Sequence, residues 1–220
     1  MSFLNDRQIM EYATTQRMID PYDETHVRPG SYDICVGDEY RFSHEEQIKR
    51  IGKWKREIKL PPHSLCYILC KEELKLPNDV SALISSTHCI VKEGVLTYPQ
   101  PPIDPGFNGK LYLLLHNLTS ETRVIEKDMC IASLVFEKST EESAKPYGTS
   151  PYHKYQGVRT LEEMGLGERK EFDPYSSALK DLNDSIQRFR TELLSRWIPV
   201  LIVIFTIFLM VLSVIFYLRG

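Results

Sequence analysis

The run from Trp197 to Leu218, WIPVLIVIFTIFLMVLSVIFYL, holds 22 residues without one charge, and no other stretch narrows the chain's options so sharply. As a helix rising about 1.5 Å per residue, it matches the roughly 30 Å hydrocarbon thickness of a bilayer. A helix buried in a water-soluble domain keeps a polar face, whereas this run offers only Thr206 and Ser213 as aliphatic hydroxyls and no ionisable group. Its many β-branched residues do no harm in lipid, where the backbone satisfies itself as a helix. Trp197 and Tyr217 stand where interfacial aromatics belong. The sequence therefore predicts one transmembrane helix over 197–218. Arg188, Arg190 and Arg196 precede it and only Arg219 and Gly220 follow, so the positive-inside bias places the N-terminal domain in the cytoplasm. With no apolar signal segment opening the chain, the expectation is a tail-anchored, single-pass membrane protein.

Ahead of the span, Leu179, Leu182, Ile186, Phe189 and Leu193 recur at alternating steps of three and four. That narrow seam predicts a coiled-coil-like stalk over 176–196, with Asp173-Pro174 and Ser176-Ser177 as its helix start. Two heptads are few for a coiled coil, and one amphipathic helix folded onto the domain is the alternative reading. Residues 161–175, LEEMGLGERKEFDPY, are charged and glycine-containing, and read as a linker.

The remaining 1–160 have a different texture. After a short helix capped by Asn5 and Asp6, the segments SYDICVG, EYRF, EIKLPPHSLCYILCKEELKLP, VSALISS, GVLTYP, KLYLLLHN, TRVIEK and CIASLVFEKS are short and rich in Val, Ile, Leu and Tyr. Pro, Gly, Asn and Asp punctuate them, which predicts a mostly β sandwich or barrel. No βαβ rhythm or glycine-rich phosphate loop is present, which excludes Rossmann and P-loop folds. A formal charge of -3 from 27 basic and 30 acidic residues gives no reason to expect DNA or RNA as a partner. Cys35, Cys66, Cys70, Cys89 and Cys130 are odd in number and lack paired CxxC spacing, so reduced, buried thiols and no metal site are expected.

In order, LNDRQIMEY (4–12), IDPYDETHVRPGSYDICVGDEYRF (19–42), LPNDVSALISSTHCIVKEGV (76–95), IDPGFNGKLYLLLHN (103–117), KDMCIASLVF (127–136) and KPYGTSPYHKYQG (145–157) resemble the dCTP deaminase and dUTPase superfamily of trimeric all-β nucleotide enzymes. The resemblance implies a dUTPase-like distorted barrel, a homotrimer with ligand sites at subunit interfaces, and a nucleotide ligand. It places the family's IDPG aspartate at Asp104. Ten residues on, where deaminases carry the proton-shuttling glutamate, this chain has Leu114 between Leu113 and Leu115. A general acid/base must be ionisable, so deamination is expected to be absent. In place of the family's Arg-Ser-Ser run the chain offers Thr87, His88 and Cys89, then Lys92. The bidentate arginine fork for a triphosphate is missing.

The resemblance also matches Asp33 to the aspartate of an SxDxxxG motif, Tyr147 to a tyrosine of the C-terminal region, and Lys154, Tyr155 and Gln156 to a KYQG segment that closes over phosphates. Lys145 is a further candidate for phosphate oxygens. TYPQPP (97–102) would shape the base pocket. Each residue has a plainer reading: Asp104 as a turn-forming Asp before Pro, Asp33 as a structural hydrogen-bond acceptor, His88 and Cys89 as packing residues, and Lys154 as a solvated charge.

Three functions follow as expectations. One is a membrane-anchored, catalytically degenerate protein that binds a (deoxy)nucleotide, through His88, Lys92, Asp104, Tyr147, Lys154, Tyr155 and Gln156, as a sensor coupled to a membrane effector. The second is a membrane-tethered dUTP or dNTP pyrophosphatase using Asp104 and a Mg²⁺ ion carried by the triphosphate. The third is a ligand-free membrane scaffold.

Overall fold

Side-chain alternation decides which way each strand faces, and Asn108–Asn117 illustrates it. Leu113 and Leu115 are fully buried, whereas Tyr112 and Leu114 between them are only half-buried, because successive strand residues point to opposite faces. The structure is a computed structural model. It describes residues 2–52, 56–149, 153–166 and 176–219, with side chains in the last segment described at 182–195, 199, 204–213 and 215.

The strands, in chain order, are β1 (Ser2–Phe3), β2 (Ile19–Asp20), β3 (Val27–Arg28), β4 (Ser31–Phe42), β5 (Lys49–Arg50), β6 (Glu57–Leu60), β7 (Leu65–Lys75), β8 (Val80–Ser86), β9 (Val95–Thr97), β10 (Asn108–Asn117), β11 (Arg123–Glu126) and β12 (Cys130–Lys138). A ten-stranded antiparallel sheet runs β1-β12-β4-β7-β10-β9, with β8 on β12, β2 on β7, and β3 and β5 on β4. β11 and β6 form a separate pair. This is a mostly β fold built on one large antiparallel sheet, in the class the sequence predicts. Each of the eight quoted strand segments contains a strand. Residues 31–42, read as two segments, form one strand with a register shift between Val36 and Tyr40. At Gly37, within that shift, a Cβ would stand 2.8 Å from the Leu69 carbonyl oxygen, so only glycine lets the two strands approach this closely.

Helix α1 (Asp6–Thr15) begins with a capping box: the Asn5 side chain accepts from the Gln8 amide at 3.0 Å, and the Gln8 side chain accepts from the Asn5 amide at 3.1 Å. Ile9 and Ala13 on its buried face join the core with Tyr32, Ile34, Ile68, Leu113, Leu134 and Phe136. Helix α2 (His88–Lys92) is a five-residue turn that the sequence reading did not separate from its flanking strands.

The structure corrects two expectations. The linker does not begin at residue 161: Leu161, Met164 and Leu166 are buried with Leu69 and Val158 in a second apolar cluster. Glycine and charge in that stretch masked three apolar residues spaced for one face of a turn. The thiols are not uniformly free and buried. Cys66 and Cys70 are, and burial pushes both thiols up in pKa, but Cys89 is exposed and Cys35 is joined to Cys130 in a disulfide. Antiparallel β4–β12 register sets those two residues opposite each other, which a separation of 95 residues does not reveal.

Residues 1–172 make one compact unit and 173–220 another. The second contains α3 (Ser176–Glu192), a wider π-helical turn (Leu193–Trp197) and α4 (Ile198–Arg219). Leu182, Ile186, Phe189 and Leu193 are exposed along α3 and its continuation. The side chains of Leu179 and of most of the span's first turns lie outside the described set. Described residues alone include no helix long and apolar enough to cross a membrane.

One buried amide ties the loops below the sheet together. Asn117, with no exposed surface, donates through Nδ2 to the carbonyls of Leu60, Pro61 and Glu121 at 3.0, 2.9 and 2.7 Å, and its Oδ1 accepts from the Thr119 amide and hydroxyl. Leaving such groups unmet costs about 1–3 kcal/mol each. Asn117→Ala is therefore expected to lower unfolding stability by roughly 2–4 kcal/mol, which chemical denaturation of the purified chain would measure. A loss below about 0.5 kcal/mol would show that the hub is dispensable.

Candidate functional site

The turn Asp104-Pro105-Gly106-Phe107 is pinned from three sides. Phe107 N donates to the Asp104 carbonyl (3.2 Å), Gly106 N to the Pro77 carbonyl (3.1 Å) and Tyr147 N to the Pro105 carbonyl (2.8 Å). Gly106 has φ +82°, and a Cβ there would meet Pro146 at 2.7 Å, so both conformation and crowding require glycine.

Around this turn lies a cavity of about 540 Å³, a volume suited to a small organic ligand. Tyr98 to Pro102 form one side, Tyr67, Lys110, Tyr112 and Leu114 another, and Tyr147, Tyr155, Met164 and Leu166 the arm side. Strand pairing places Tyr67 directly opposite Leu114, and the Tyr67 and Tyr112 rings lie 6.0 Å apart. Gln100 Nε2 donates to the Tyr112 carbonyl at 2.7 Å and fixes the proline-rich loop against β10. Six of the described lining side chains are aromatic and offer π faces for a planar ring, and among the described residues Asp104 is the one carboxylate and Lys110 the one ammonium.

Residues 145–149 and 153–166, the arm, are fastened to the sheet that carries the cavity. Gln156 Oε1 accepts from Asn108 N (3.1 Å) while its Nε2 donates to the Gly106 carbonyl (3.2 Å). Gly157 N donates to the Asn108 carbonyl and Lys110 N to the Val158 carbonyl, at 2.7 and 2.9 Å. Farther on, Arg159 grips Glu73 with two hydrogen bonds of 2.9 and 2.8 Å. Leu161 N donates to the buried Glu39 carboxylate at 2.9 Å, whose other oxygen pairs with Arg50 at 2.7 Å. The Tyr147 ring meets Phe107 at 5.5 Å, and its hydroxyl accepts from Tyr155 N at 3.3 Å.

The sequence-predicted site residues thus divide. Asp104, Tyr147 and Tyr155 line the cavity; Asp104 is exposed, and among the described residues its carboxylate makes no hydrogen bond. Gln156 sits beside the cavity as a latch on the β10 turn. Lys154 is exposed, with its ammonium 5.8 Å from the Tyr155 ring centre, and Lys145 is exposed as well. His88 and Lys92 lie exposed on α2 and do not line the cavity. The packing role expected for His88 and Cys89 is not what the structure shows, because α2 turns Ile90 inward and its neighbours outward. Asp33 is a structural acceptor, taking Ser133 Oγ at 2.5 Å and pairing with Arg28 at 2.7 Å.

The sequence reading missed Tyr67, Lys110, Tyr112, Met164 and Leu166. Lys110, Tyr112 and Leu114 occur at every second position of β10, a signal available from strand periodicity; the two residues of the arm carried none. A second, polar cleft holds Arg56, Lys71, Lys110 and Lys127 beside Asp38 and Asp128. Lys71 and Arg56 both bind Asp128 at 3.0 Å, and the Lys71 hydrogen bond holds that carboxyl below its ordinary pKa. Among the described residues a Mg²⁺ ion at the cavity would find only Asp104 as a carboxylate, so these residues fit the ion only where ligand phosphates supply most of its octahedral oxygens.

Comparison with known proteins accords with this geometry. The family described as dCTP deaminase-like matches residues 3–139. The dUMP-forming dCTP deaminase of Persephonella marina is 27% identical over 170 residues, covering 71% of this chain and 92% of that protein. The dCTP deaminase of Pyrococcus horikoshii is 29% identical over 145 residues, 66% of this chain and 87% of that one. Among solved structures, the 2'-deoxycytidine 5'-triphosphate deaminase of Agrobacterium tumefaciens shares the fold with a TM-score of 0.54 at 16% identity, over 62% of this chain and about half (49%) of that one. The antiparallel sheet thus has the fold of a solved dCTP deaminase. The chain is a member of the dCTP deaminase-like family.

Removing the latch tests the arm. Gln156→Ala deletes one acceptor and one donor at the β10 turn, each worth about 0.5–1.5 kcal/mol. It is expected to raise hydrogen exchange and protease cleavage in 145–166 with the sheet unchanged. Unaltered protection of the arm would refute the latch.

Proposed function

We propose that this chain is a membrane-anchored family member that binds a pyrimidine deoxynucleotide in the aromatic cavity and leaves its base intact. Leu114 is the observation that carries the reading. Its side chain lines the cavity opposite Tyr67, at the position where the resemblance implies the deaminases' glutamate. Attack of water on C4 of cytosine needs a group that takes and returns protons within hydrogen-bond reach of the ring, and a leucine does neither. Base binding needs no such group: stacking on aromatic faces contributes about 1–3 kcal/mol per base. Lys110 stands at the cavity, and Lys145 and Lys154 on the arm, as cations for phosphate oxygens.

His88 and Lys92 fit this scheme as the neighbouring protomer's contribution in a homotrimer, since within one chain they are exposed and do not line the cavity. The exposed row Leu182, Ile186, Phe189 and Leu193 supports self-association of α3. The charge-free run within α4 supports a single span, with the N-terminal domain on the cytoplasmic side. Nucleotide binding would then act as a sensor, shifting trimer arrangement and thereby the membrane helices, provided the ligand prefers one arrangement over another.

Calorimetric titration of the detergent-solubilised full chain with dCTP, dUTP, dTTP and cyclic nucleotides in Mg²⁺, followed by chromatography of the recovered ligand, tests the reading. Binding with the ligand unchanged is expected. Conversion of dCTP to a uracil nucleotide would overturn it, and absence of heat from every ligand would leave a scaffold. For assembly, the pair Leu182→Asp and Ile186→Asp is expected to reduce the oligomer in sedimentation experiments; an unchanged mass would remove α3 from the interface.

The exposed carboxylate of Asp104, which makes no hydrogen bond among the described residues, favours a second reading, a pyrophosphatase in which Asp104 orients water toward a Mg²⁺-bound triphosphate. Release of pyrophosphate that vanishes in Asp104→Asn would establish it.

A further inference from the structure

Away from the aromatic cavity, three elements bring His26, Cys35 and Cys130 together, with all their ligand atoms within 4.8 Å of one another. His26 ends the 3-10 turn Glu24–His26, Cys35 belongs to β4, and Cys130 opens β12 directly opposite it. Cys35 Sγ lies 3.7 Å from Nδ1 and 3.9 Å from Nε2 of the imidazole, slightly nearer Nδ1. A tetrahedral ion with bonds of about 2.3 Å to sulfur and 2.0–2.1 Å to nitrogen holds those two ligands about 3.5 Å apart. The imidazole already stands near that spacing.

Its other side is supported as well. Asp23 Oδ2 lies 3.9 Å from Nε2, and Asp23 is itself fixed by the Thr25 amide and hydroxyl at 3.0 and 2.7 Å. At 3.9 Å that carboxylate is beyond hydrogen-bond length; closing onto Nε2–H, it would orient the imidazole to bind metal through Nδ1. Cys35 is fully buried, whereas the His26 side chain keeps 19% of its surface exposed and Cys130 is half-buried, which leaves an entry path.

We propose that the reduced pair Cys35 and Cys130, with His26, forms a Cys₂His site for a transition-metal dication of the Zn²⁺ class, and that the disulfide is the oxidised, metal-free form of the same site. Reduction by a phosphine balances: the phosphine and one water yield the phosphine oxide and two cysteine thiols. The metal then binds two thiolates, releasing their two protons, and the lone pair of neutral Nδ1. Two thiolates cancel the dication's charge, so the complex enters a partly buried site without net charge. Water takes the fourth position. The bound ion would clamp the 24–26 turn to the β4–β12 ladder.

Cys89 requires a control, because its Sγ donates to the Cys130 carbonyl at 3.4 Å. The full chain carrying Cys89→Ser is reduced with phosphine under anaerobic conditions, freed of reductant, and titrated with Co²⁺. Expected are one ion per chain, a thiolate-to-cobalt charge-transfer band with the visible bands of tetrahedral cobalt, and displacement by Zn²⁺. His26→Ala and Asp23→Asn, both at exposed or half-exposed positions, are each expected to weaken binding, Asp23→Asn by about 10–100-fold. Cys130→Ser should abolish the tetrahedral spectrum, and the oxidised chain should bind none. A reduced chain without the spectrum overturns the proposal, as does a spectrum that persists in Cys35→Ser/Cys130→Ser or affinity indifferent to His26→Ala. None of these readouts requires nucleotide, so they stand apart from the function of the aromatic cavity.

Discussion

The register of β7 against β10 is the constraint on which the candidate site rests. Tyr67 opposes Leu114 and Leu69 opposes Tyr112, so one face of this strand pair presents Tyr67, Tyr112 and Leu114 to the cavity while Leu113 and Leu115 enter the core. A slip of one residue would exchange the two faces, exposing the leucines and burying the tyrosines. Burial of Leu113 and Leu115, each worth about 1.5–3 kcal/mol, therefore fixes the cavity wall as firmly as it fixes the core. The register shift between Lys110 and Tyr112 then re-aims the strand, and both Lys110 and Leu111 reach the lining.

Much of the head was legible because its signals are local. The Asn5 cap, the short runs rich in Val, Ile, Leu and Tyr that become β10 and β12, and the turn residues at 104–106 each act within a few positions, and the structure bears out the elements they announce. The four two-residue strands β1, β2, β3 and β5 were not legible: edge pairings this short carry no periodicity and owe their existence to the strand beside them. The arm was misread for a related reason. Leu161, Met164 and Leu166 sit among Glu and Gly, and their burial follows from Arg159 meeting Glu73 and from the Leu161 amide meeting Glu39, contacts 86 and 122 residues apart.

The cysteines and the cavity teach the same lesson from the chemical side. Nothing in the spacing of Cys35 and Cys130 suggested a pair, since only antiparallel pairing brings them and His26 to one spot. For the cavity, the resemblance singled out Asp104, Tyr147 and Tyr155, which line it, and also Asp33, Lys154, His88 and Lys92, which do not line it within one chain. Residue matching reports what a family places in a motif, whereas three-dimensional packing decides which side chains share a wall. Tyr67 and Tyr112 fell between those two sources of information.

The fastening of the arm has a thermodynamic consequence. Tyr147, Tyr155, Met164 and Leu166 supply one side of the cavity, yet among the described residues they reach it on a segment held by a small apolar cluster, a modest number of hydrogen bonds and an ion pair rather than by a strand of the main sheet. Segments of this kind open locally at far smaller free energies than a central strand does. The complete cavity is thus a population rather than a fixed object. The apparent affinity of any occupant is its intrinsic affinity scaled by the fraction of time the arm is seated, and whatever steadies the arm tightens binding without touching the ligand.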